Sequence, residues 1–146
     1  MFLNNEGHDC LKRFVSYKWT FPVLSYDFSF TPEQERNVLL DLYTSTNGQQ
    51  WYESGGWNSS NSHCSWYGIT CYNNSYVRTI VLAYNNLDGV LPSNLWKIRN
   101  LLSLCTPGNP KLRGRIGDFL FGNMSSLLSI AFNAASISGE IPKDIV

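Results

Sequence analysis

The sequence has little charge, no excess of either sign and few histidines. Among its 146 residues, 11 Lys and Arg balance 11 Asp and Glu, so the formal net charge is zero and only 15% of residues are charged. Binders of nucleic acids or anionic membranes need a basic excess on one face, and the balance argues against both classes. The two histidines, His8 and His63, do not provide the His-x-x-x-His spacing of a zinc site.

Long hydrophobic runs and a signal peptide are also missing. Although 43% of residues are hydrophobic, no stretch approaches the roughly 18 apolar residues of a membrane-spanning helix, so we predict no transmembrane segment in this chain. Residues 1–30 begin Met-Phe-Leu-Asn-Asn-Glu-Gly-His-Asp, which is acidic and polar where a signal peptide carries positive charge, and their most apolar part is interrupted by Lys18 and Pro22. This segment is rich in aromatic residues without a clear period, and we assign it no structure.

Motifs of catalysis are absent as well. The chain contains no Gly-x-Ser-x-Gly, no Gly-x-x-x-x-Gly-Lys, no Gly-x-Gly-x-x-Gly and no His-Glu-x-x-His. Its carboxylates are scattered, because Glu33 and Glu35 fall on different sides of one predicted helix and Asp88 and Asp118 fall in turns. Cys105 has no positioned histidine, and we interpret it as a small strand residue. We therefore predict a protein that is not an enzyme and that carries neither a cofactor nor a metal.

Two of the four cysteines lie close together. Cys64 and Cys71 enclose six residues, which fits a local disulfide better than a metal site. Closing a loop of this size stabilises the fold by about 2.5 kcal/mol on the chain-entropy model. Cys10 and Cys105 are isolated, and the sequence assigns them no partner. The disulfide indicates an oxidising compartment.

Three Asn-x-Ser/Thr sequons agree with such a compartment. They begin at Asn58, Asn73 and Asn123, each in a stretch with the composition of a loop. Chance is the alternative, because a chain rich in Asn and Ser generates sequons without using them. We predict glycosylation at these sites and an extracellular or cell-surface location.

A helix is predicted to begin at Thr31 and to be followed by an aromatic loop. Thr31 is a typical N-cap, Pro32 suits the first turn, and Gln34 can complete a capping box. Apolar residues then recur at helical spacing until Asn47-Gly48 provides a left-handed stop. The tryptophans of the loop are expected to cover a larger core, with a sugar-binding platform as the alternative. The predicted core of this region consists of Leu39, Leu42, Trp51, Trp57 and Trp66.

From residue 77 onward the chain repeats itself. Gly89, Gly114 and Gly139 follow one another at intervals of 25 residues, and the apolar residues around them recur in the same frame. The pattern Leu-x-x-Leu-x-Leu-x-x-Asn is that of leucine-rich repeats. Alternating apolar residues of each short strand face inward, and the strands of successive copies stack in parallel. Asn85 and Asn109 are predicted to bond the main chain where the strands end.

The repeat Asn-x-Leu-x-Gly-x-Ile-Pro resembles the plant-type subclass of leucine-rich repeats. The preceding helix, Trp51, Gly56-Trp57 and Cys64-x-Trp66-x-Gly68-x-x-Cys71 resemble the amino-terminal capping domain of that family. The resemblance covers roughly residues 33–146 and implies an α/β fold. This fold is a right-handed leucine-rich-repeat solenoid with parallel strands on its concave face and a helical, disulfide-bonded cap. The implied divisions are an undetermined segment 1–30, a cap 31–76, and two complete repeats with a truncated third over 77–146.

The resemblance implies a partner-binding concave face, with a protein, a peptide or a glycan as the ligand. The predicted face is small, uncharged and nearly flat, and Tyr84 is its only large side chain. Its predicted residues are Thr79, Val81, Ala83, Tyr84, Ser103, Cys105, Ser129, Ala131 and Asn133. We expect the chain to continue into further repeats in a full-length protein. The alternatives are a structural surface-coat or antigen module and a truncated receptor fragment without independent function.

Overall fold

The structure is a computed structural model that describes residues 2–3, 28–119, 124, 126–133 and 135–140. Most of the aromatic-rich segment 1–30, the sequon at Asn123 and the last six residues therefore lie outside the described residues. Within the described ranges, no helix is long and apolar enough to cross a membrane.

Two sheets and one long helix make up the described chain. Helix α1 spans Pro32–Ser45, a single helical turn α2 spans Ile116–Phe119, and short 3-10 turns occur at Gly48–Gln50, His63–Ser65 and Leu95–Lys97. The strands are β1 Phe2–Leu3, β2 Ile69–Tyr72, β3 Tyr76–Val81, β4 Gly89–Val90, β5 Ser103–Cys105, β6 Leu112–Arg115, β7 Ser129–Ala131 and β8 Ser136–Ser138. The first sheet has the order β1-β7-β5-β3-β2, and the second has the order β4-β6-β8.

Helix α1 begins and ends where its sequence signals predict. Thr31 Oγ1 accepts a hydrogen bond from the Gln34 amide (3.2 Å), and the Gln34 side-chain oxygen accepts one from the Thr31 amide (2.8 Å). Pro32 occupies the first turn, where no amide hydrogen is needed. Beyond the helix, Asn47 adopts the left-handed conformation, with φ of 56°. The predicted capping box and left-handed stop are both confirmed.

The apolar side of α1 packs against the tryptophans of the following loop. The ring centroids of Trp51 and Trp57 lie 4.9 Å apart, and those of Trp57 and Trp66 lie 5.0 Å apart. The indole nitrogens of Trp51 and Trp57 donate to the carbonyls of Thr46 (3.0 Å) and Tyr67 (2.9 Å). The rings are buried with these polar edges satisfied, so they form a core and not an open sugar platform. The buried apolar residues of this core include Val38, Leu39, Leu42, Trp51, Trp57 and Trp66.

The hairpin of β2 and β3 joins this region to the repeats. The two strands are antiparallel, and their turn passes through Asn73 and Asn74, which have φ values of 47° and 52°. Asn tolerates this left-handed conformation better than most residues do. Cys71, in β2, is disulfide-bonded to Cys64, and their Cα atoms lie 5.5 Å apart. The predicted local disulfide is confirmed.

Strands β3, β5 and β7 are parallel neighbours in the first sheet. Their register aligns Ile80, Leu104 and Ile130 in one row, and all three side chains are fully buried. Because side chains alternate across a strand, this row defines the core face of the sheet. Strand β1 extends the same parallel ladder, with Leu3 opposite Ile130.

The second sheet lies where the glycines of the repeat recur. Gly89, Gly114 and Gly139 have positive φ values of 142°, 141° and 99°, which side chains with a Cβ rarely adopt. A Cβ at Gly89 would also collide with the carbonyl oxygen of Ser45 at the end of α1. Strands β4, β6 and β8 pair in parallel, and α1 also contacts β3. The described chain is therefore an α/β arrangement of parallel strands with a helical, disulfide-bonded cap at one end.

Candidate ligand-binding surface

The predicted binding residues gather on the outer face of the first sheet and on the loops after its strands. The register of β3, β5 and β7 places one row of residues on each side of the core row. The first row consists of Thr79, Ser103 and Ser129, and the second consists of Val81, Cys105 and Ala131. Alternation along each strand turns both rows away from the core face. Ala83 and Tyr84 follow β3, and Asn133 follows β7. Six of the nine predicted positions thus share one side of the sheet, and the other three lie on the loops that follow its strands.

This outer face is largely buried, although an exposed surface was expected, and only Val81 and Ser129 among its strand residues are half-buried. Ser103 and Cys105 have 0% exposed area, and Thr79 and Ala131 are also buried. Thr79 Oγ1 lies 2.6 Å from Thr70 Oγ1 on the neighbouring strand β2. Cys105 lies in strand β5, as interpreted from the sequence, and it is also disulfide-bonded, which the sequence did not reveal. The sequence offered no partner for Cys105 because no other cysteine lies near it along the chain.

Tyr84 is a large side chain that this surface does expose, with 53% of its area accessible. Its φ of 52° is left-handed, a conformation that is uncommon for a bulky residue and often marks a functional position. The Tyr84 amide donates to the Pro107 carbonyl (2.8 Å). The ring lies on Gly108, where a Cβ would collide with it. The main chain of the next repeat therefore holds the ring in place at the end of the sheet.

Tyr52 is a second exposed tyrosine, in a loop whose main chain bonds the residue after Tyr84, and sequence reasoning missed it. Its side chain is 78% exposed, and its amide donates to the carbonyl of Asn85, the residue after Tyr84 (3.3 Å). Glu53 and the Asn85 carboxamide exchange two further hydrogen bonds (2.7 and 2.8 Å). Tyr52 directly follows the buried Trp51, and periodicity cannot separate buried from exposed rings in an irregular loop.

The strand-end asparagines hold the loop that carries Tyr84. Asn109 Oδ1 accepts hydrogen bonds from the amides of Asn85 and Leu87, both at 3.0 Å. Its Nδ2 lies within hydrogen-bonding distance of the carbonyl oxygens of Leu82 (2.8 Å), Thr106 (2.9 Å) and Pro107 (3.2 Å). One buried carboxamide thus serves main-chain groups that the bend leaves without strand partners. The Asn85 carboxamide likewise bonds main-chain groups, in this case the amide and the carbonyl of Glu53 in the cap.

Glu35 is a buried carboxyl group whose role the sequence did not reveal. Only 1% of its area is exposed, and Oε2 accepts a hydrogen bond from the Val77 amide in β3 (2.7 Å). Its other oxygen is buried and has no hydrogen-bond partner in the described part of the chain. Burial raises the pKa of Glu35 from 4.5 to about 7, and the Val77 hydrogen bond opposes the rise. The position of Glu35 between α1 and β3 indicates a structural role.

His63, Cys64 and Cys71 place their nitrogen and sulfur atoms within 4.8 Å of one another. This cluster does not fit a metal site, because the disulfide removes both thiolates that could bind an ion. His63 Nε2 instead lies 3.0 Å from the Ser75 carbonyl oxygen. Burial is the main cause that lowers the His63 pKa. A neutral imidazole that donates to Ser75 accounts for its position.

The sequons at Asn58 and Asn73 lie on exposed turns. Both residues have positive φ, of 56° and 47°, and both are exposed to solvent, as glycan attachment requires. Their use stays a prediction, which the loss of mass on glycosidase digestion would test.

A family model described as "Leucine rich repeat N-terminal domain" matches residues 32–72. This range begins with α1 and ends with β2, so it contains the helix, the packed tryptophans and the Cys64–Cys71 disulfide. The geometry of the cap and the family model therefore agree on one unit.

Three relatives from Arabidopsis thaliana share sequence with this chain. "Probable LRR receptor-like serine/threonine-protein kinase RPK1" is 37% identical over 89 residues, which is 60% of this chain and 15% of that protein. "Leucine-rich repeat receptor-like serine/threonine-protein kinase RGI4" is 37% identical over 91 residues, 61% of this chain and 8% of that protein. "Leucine-rich repeat receptor protein kinase EMS1" is 33% identical over 75 residues, 51% of this chain and 6% of that protein.

The matches thus span only a small part of these receptor kinases, and all three relatives carry leucine-rich repeats in their names. Residues 32–72 are therefore similar to a leucine-rich-repeat amino-terminal domain, and the wider chain is similar to part of plant receptor-like kinases.

Proposed function

We propose that this chain is the first part of an extracellular or cell-surface recognition module. In this proposal, residues 31–76 cap a right-handed leucine-rich-repeat solenoid that starts at residue 77, and the module binds a protein or peptide, with a glycan as a further ligand class. The matched cap is a non-catalytic region of its relatives. Their names as receptors favour recognition over a surface coat.

The observation that carries the proposal is the exposed Tyr84 at the end of β3. Tyr84 is fixed by its contact with Gly108 and its bond to Pro107. Tyr52 is a second exposed tyrosine, and its amide bonds the carbonyl of Asn85, the residue after Tyr84. Tyrosine rings give a large contact area with little loss of side-chain entropy, which makes them frequent anchors in binding sites. The two outward rows of the sheet carry no charge, and Glu53 is the charged residue next to Tyr52, so the proposed ligand is recognised by shape and hydrogen bonds more than by charge.

The test selects ligands from a phage-displayed library of linear peptides and then compares variants. Tyr84→Asn removes the ring and keeps a residue type that tolerates the left-handed conformation. We expect at least a tenfold loss of affinity for the selected peptides, since anchor residues contribute about 2 kcal/mol or more. Surface plasmon resonance with immobilised protein gives the affinities.

Val90→Asn is the matched control, because Val90 is an exposed apolar residue on the second sheet. The control should bind as the unchanged protein does. Equal affinities for the unchanged protein and Tyr84→Asn would overturn the proposed site. A loss confined to Val90→Asn would move the binding surface to the second sheet.

A further inference from the structure

A cavity of about 340 Å³ lies where helix α1 ends, and its wall includes Asn58, the first residue of a sequon. The other lining residues come from the last turns of α1 and from the turn that follows it, namely Leu40, Tyr43, Thr44, Asn47, Gly48 and Gln49. Ligand pockets measure about 300–1,000 Å³. The size of this cavity therefore suits a single sugar ring better than a large ligand.

The position of Asn58 at the cavity wall is fixed by its neighbours. The preceding residue, Trp57, is buried, and its indole nitrogen donates to the Tyr67 carbonyl (2.9 Å). The Trp57 ring is stacked on the Tyr43 ring, with centroids 6.0 Å apart and planes 15° apart. Asn58 itself has a left-handed φ of 56° and is exposed. A group attached to Asn58 therefore starts from a defined point beside the cavity.

The lining has the chemistry of a site for a neutral sugar. Leu40 and Tyr43 are half-buried and provide its apolar part. Thr44, Asn47 and Gln49 are exposed, and their side chains form no hydrogen bond within the described part of the chain. Hydroxyl and carboxamide groups can both donate and accept hydrogen bonds. None of the described lining residues is charged, so the cavity does not favour an ionic ligand.

We propose that Asn58 carries an N-linked glycan and that the first N-acetylglucosamine of this glycan occupies the cavity. The sugar ring covers Tyr43 and Leu40, and its hydroxyl and acetamido groups bond the polar side chains of the wall. Because the sugar is joined to a residue of the wall, its effective concentration at the cavity is high and weak contacts are sufficient. The docked sugar thus stabilises the cap at the end of α1.

The attachment takes place on the sequon Asn58-Ser59-Ser60 in the secretory pathway. The sugar donor is an oligosaccharide joined to a lipid diphosphate. The carboxamide nitrogen of Asn58 forms a bond to C1 of the first N-acetylglucosamine, while the bond between C1 and the diphosphate oxygen breaks. The nitrogen loses one proton, and the lipid diphosphate leaves with the electron pair of the broken bond. No oxidant or reductant is needed.

The inference goes beyond the proposed ligand site and shares only the secretory route with the proposed function. No residue that lines the cavity is among the residues proposed to bind the ligand. Docking of a sugar at Asn58 and binding of a peptide at Tyr84 can therefore be tested separately.

Mass spectrometry of the secreted protein tests the attachment. The protein is produced in cells that make only high-mannose glycans, and an endoglycosidase then trims each glycan to its first N-acetylglucosamine. The peptide that contains Asn58 should carry this one sugar. An Asn58 without it would overturn the inference.

The melting temperature of the trimmed protein tests the docking. Ser60→Ala removes the sequon and keeps Asn58 itself, and Ser60 is exposed. We expect the melting temperature to fall by about 4 °C, the shift for one net hydrogen bond in a chain of this length.

Ser75→Ala is the matched control, because it removes the sequon of Asn73, which does not line the cavity. Ser75 makes one exposed side-chain hydrogen bond, to the Asn73 carbonyl (3.2 Å). The control should lower the melting temperature by less than half as much as Ser60→Ala. Equal shifts in the two variants would show that the sugar at Asn58 has no special contact.

A double variant of Thr44→Ala with Gln49→Ala separates docking from a general effect of the glycan. Both side chains line the cavity and are exposed. In the trimmed protein, the double variant should lose stability because the sugar loses its partners. The shift in melting temperature should be about 4 °C more negative than the shift that the same changes cause together with Ser60→Ala. Equal shifts with and without the sequon would mean that the sugar lies outside the cavity, and the inference would then be wrong.

Free N-acetylglucosamine distinguishes the attached sugar from an external glycan. At high concentration it should not change the melting temperature of the trimmed protein relative to the same concentration of glucose, because the cavity is already filled. A rise would show a cavity open to external sugars and would contradict the inference. None of these measurements uses the selected peptides. An undocked sugar with intact, Tyr84-dependent peptide binding overturns this inference alone, and a docked sugar without peptide binding overturns the proposed function alone.

Discussion

The cap and the repeats are stabilised by interactions of different range. Within the cap, the capping box and the Cys64–Cys71 bond join residues that are close in sequence. Each repeat forms one turn, and the first, second and third turns carry strands β3, β5 and β7. The strand registers join residues of neighbouring turns that are 24 or 26 positions apart. Asn109, in the second turn, bonds main-chain groups of the first. A change in the capping box or in the Cys64–Cys71 bond therefore removes a contact between neighbours along the chain, whereas a defect at a repeat junction weakens two repeats at once.

The third turn differs from the second at the position that matters most for this junction. Asn109 and Ala135 are equivalent in the register of β5 and β7, which pairs Ser103 with Ser129. An alanine has no carboxamide, so it cannot provide the bonds that Asn109 makes. The Ala135 amide donates to the Phe132 carbonyl (2.9 Å), a contact within its own turn. The Asn109 carboxamide thus bonds the second turn to the first, and Ala135 provides no such side-chain bond from the third turn to the second.

Asn109→Ala should have the largest effect, with a loss of about 4 kcal/mol in the free energy of unfolding. The change leaves the amides of Asn85 and Leu87 and several carbonyls buried without their partner, and each unsatisfied group costs about 1–3 kcal/mol. Urea denaturation followed by far-UV circular dichroism measures the loss.

Asn94→Ala is the matched control, because Asn94 makes one exposed side-chain hydrogen bond, to Asp41 (2.6 Å). We expect a loss of less than about 1 kcal/mol. Similar losses in the two variants would show that the repeats do not depend on the Asn109 carboxamide, and would remove the difference between the second and third turns.

Glu35 should make the stability of the cap depend on pH. Its pKa rises from 4.5 to about 7 on folding, so the folded protein binds the proton more tightly within this interval. The stabilisation is complete below pH 4.5 and is lost as the pH rises through 7. We expect an unfolding free energy that falls on the order of 3 kcal/mol across the interval relative to Glu35→Gln. Urea denaturation at a series of pH values measures it.

The comparison with Glu35→Gln isolates this carboxyl group from other titrations. Burial lowers the pKa of His63, so this residue makes stability rise with pH. That contribution is the same in both proteins and cancels in the difference. Parallel pH curves for the two proteins would mean that Glu35 is ionised in the folded cap.

Features set by local chemistry could be predicted from the sequence. The helix start at Thr31, the left-handed Asn47 and the short-range disulfide depend on neighbours along the chain. The strand positions could be predicted as well, because the repeat frame aligns Ile80 with Leu104. In these cases a residue type and its spacing are sufficient to define the interaction.

Features that depend on distant parts of the chain could not be predicted. The burial of Glu35 follows from its contact with Val77, 42 positions away, and the exposure of Tyr52 follows from a loop without a period. The outer face of the sheet was expected to be open because alternation tells which side of a strand faces the core. Alternation does not tell what covers the other side. The disulfide at Cys105 is a constraint of this kind, because the sequence around Cys105 does not reveal it.

Ala135→Asn should have the smallest effect and the opposite sign, a gain of about 1 kcal/mol in the free energy of unfolding. An asparagine here stands in the register of Asn109 and is placed to accept hydrogen bonds from the amides of the second turn, as Asn109 does from the first. A net hydrogen bond of this kind contributes about 1 kcal/mol. Ser136→Asn, at an exposed neighbouring position, controls for the residue type and should change nothing. If Ala135→Asn gives no gain while Asn109→Ala is destabilising, the third turn differs from the second in its main-chain path and not only in a missing side chain. The repeat frame then predicts the strand positions of the third turn but not the loop that follows its strand.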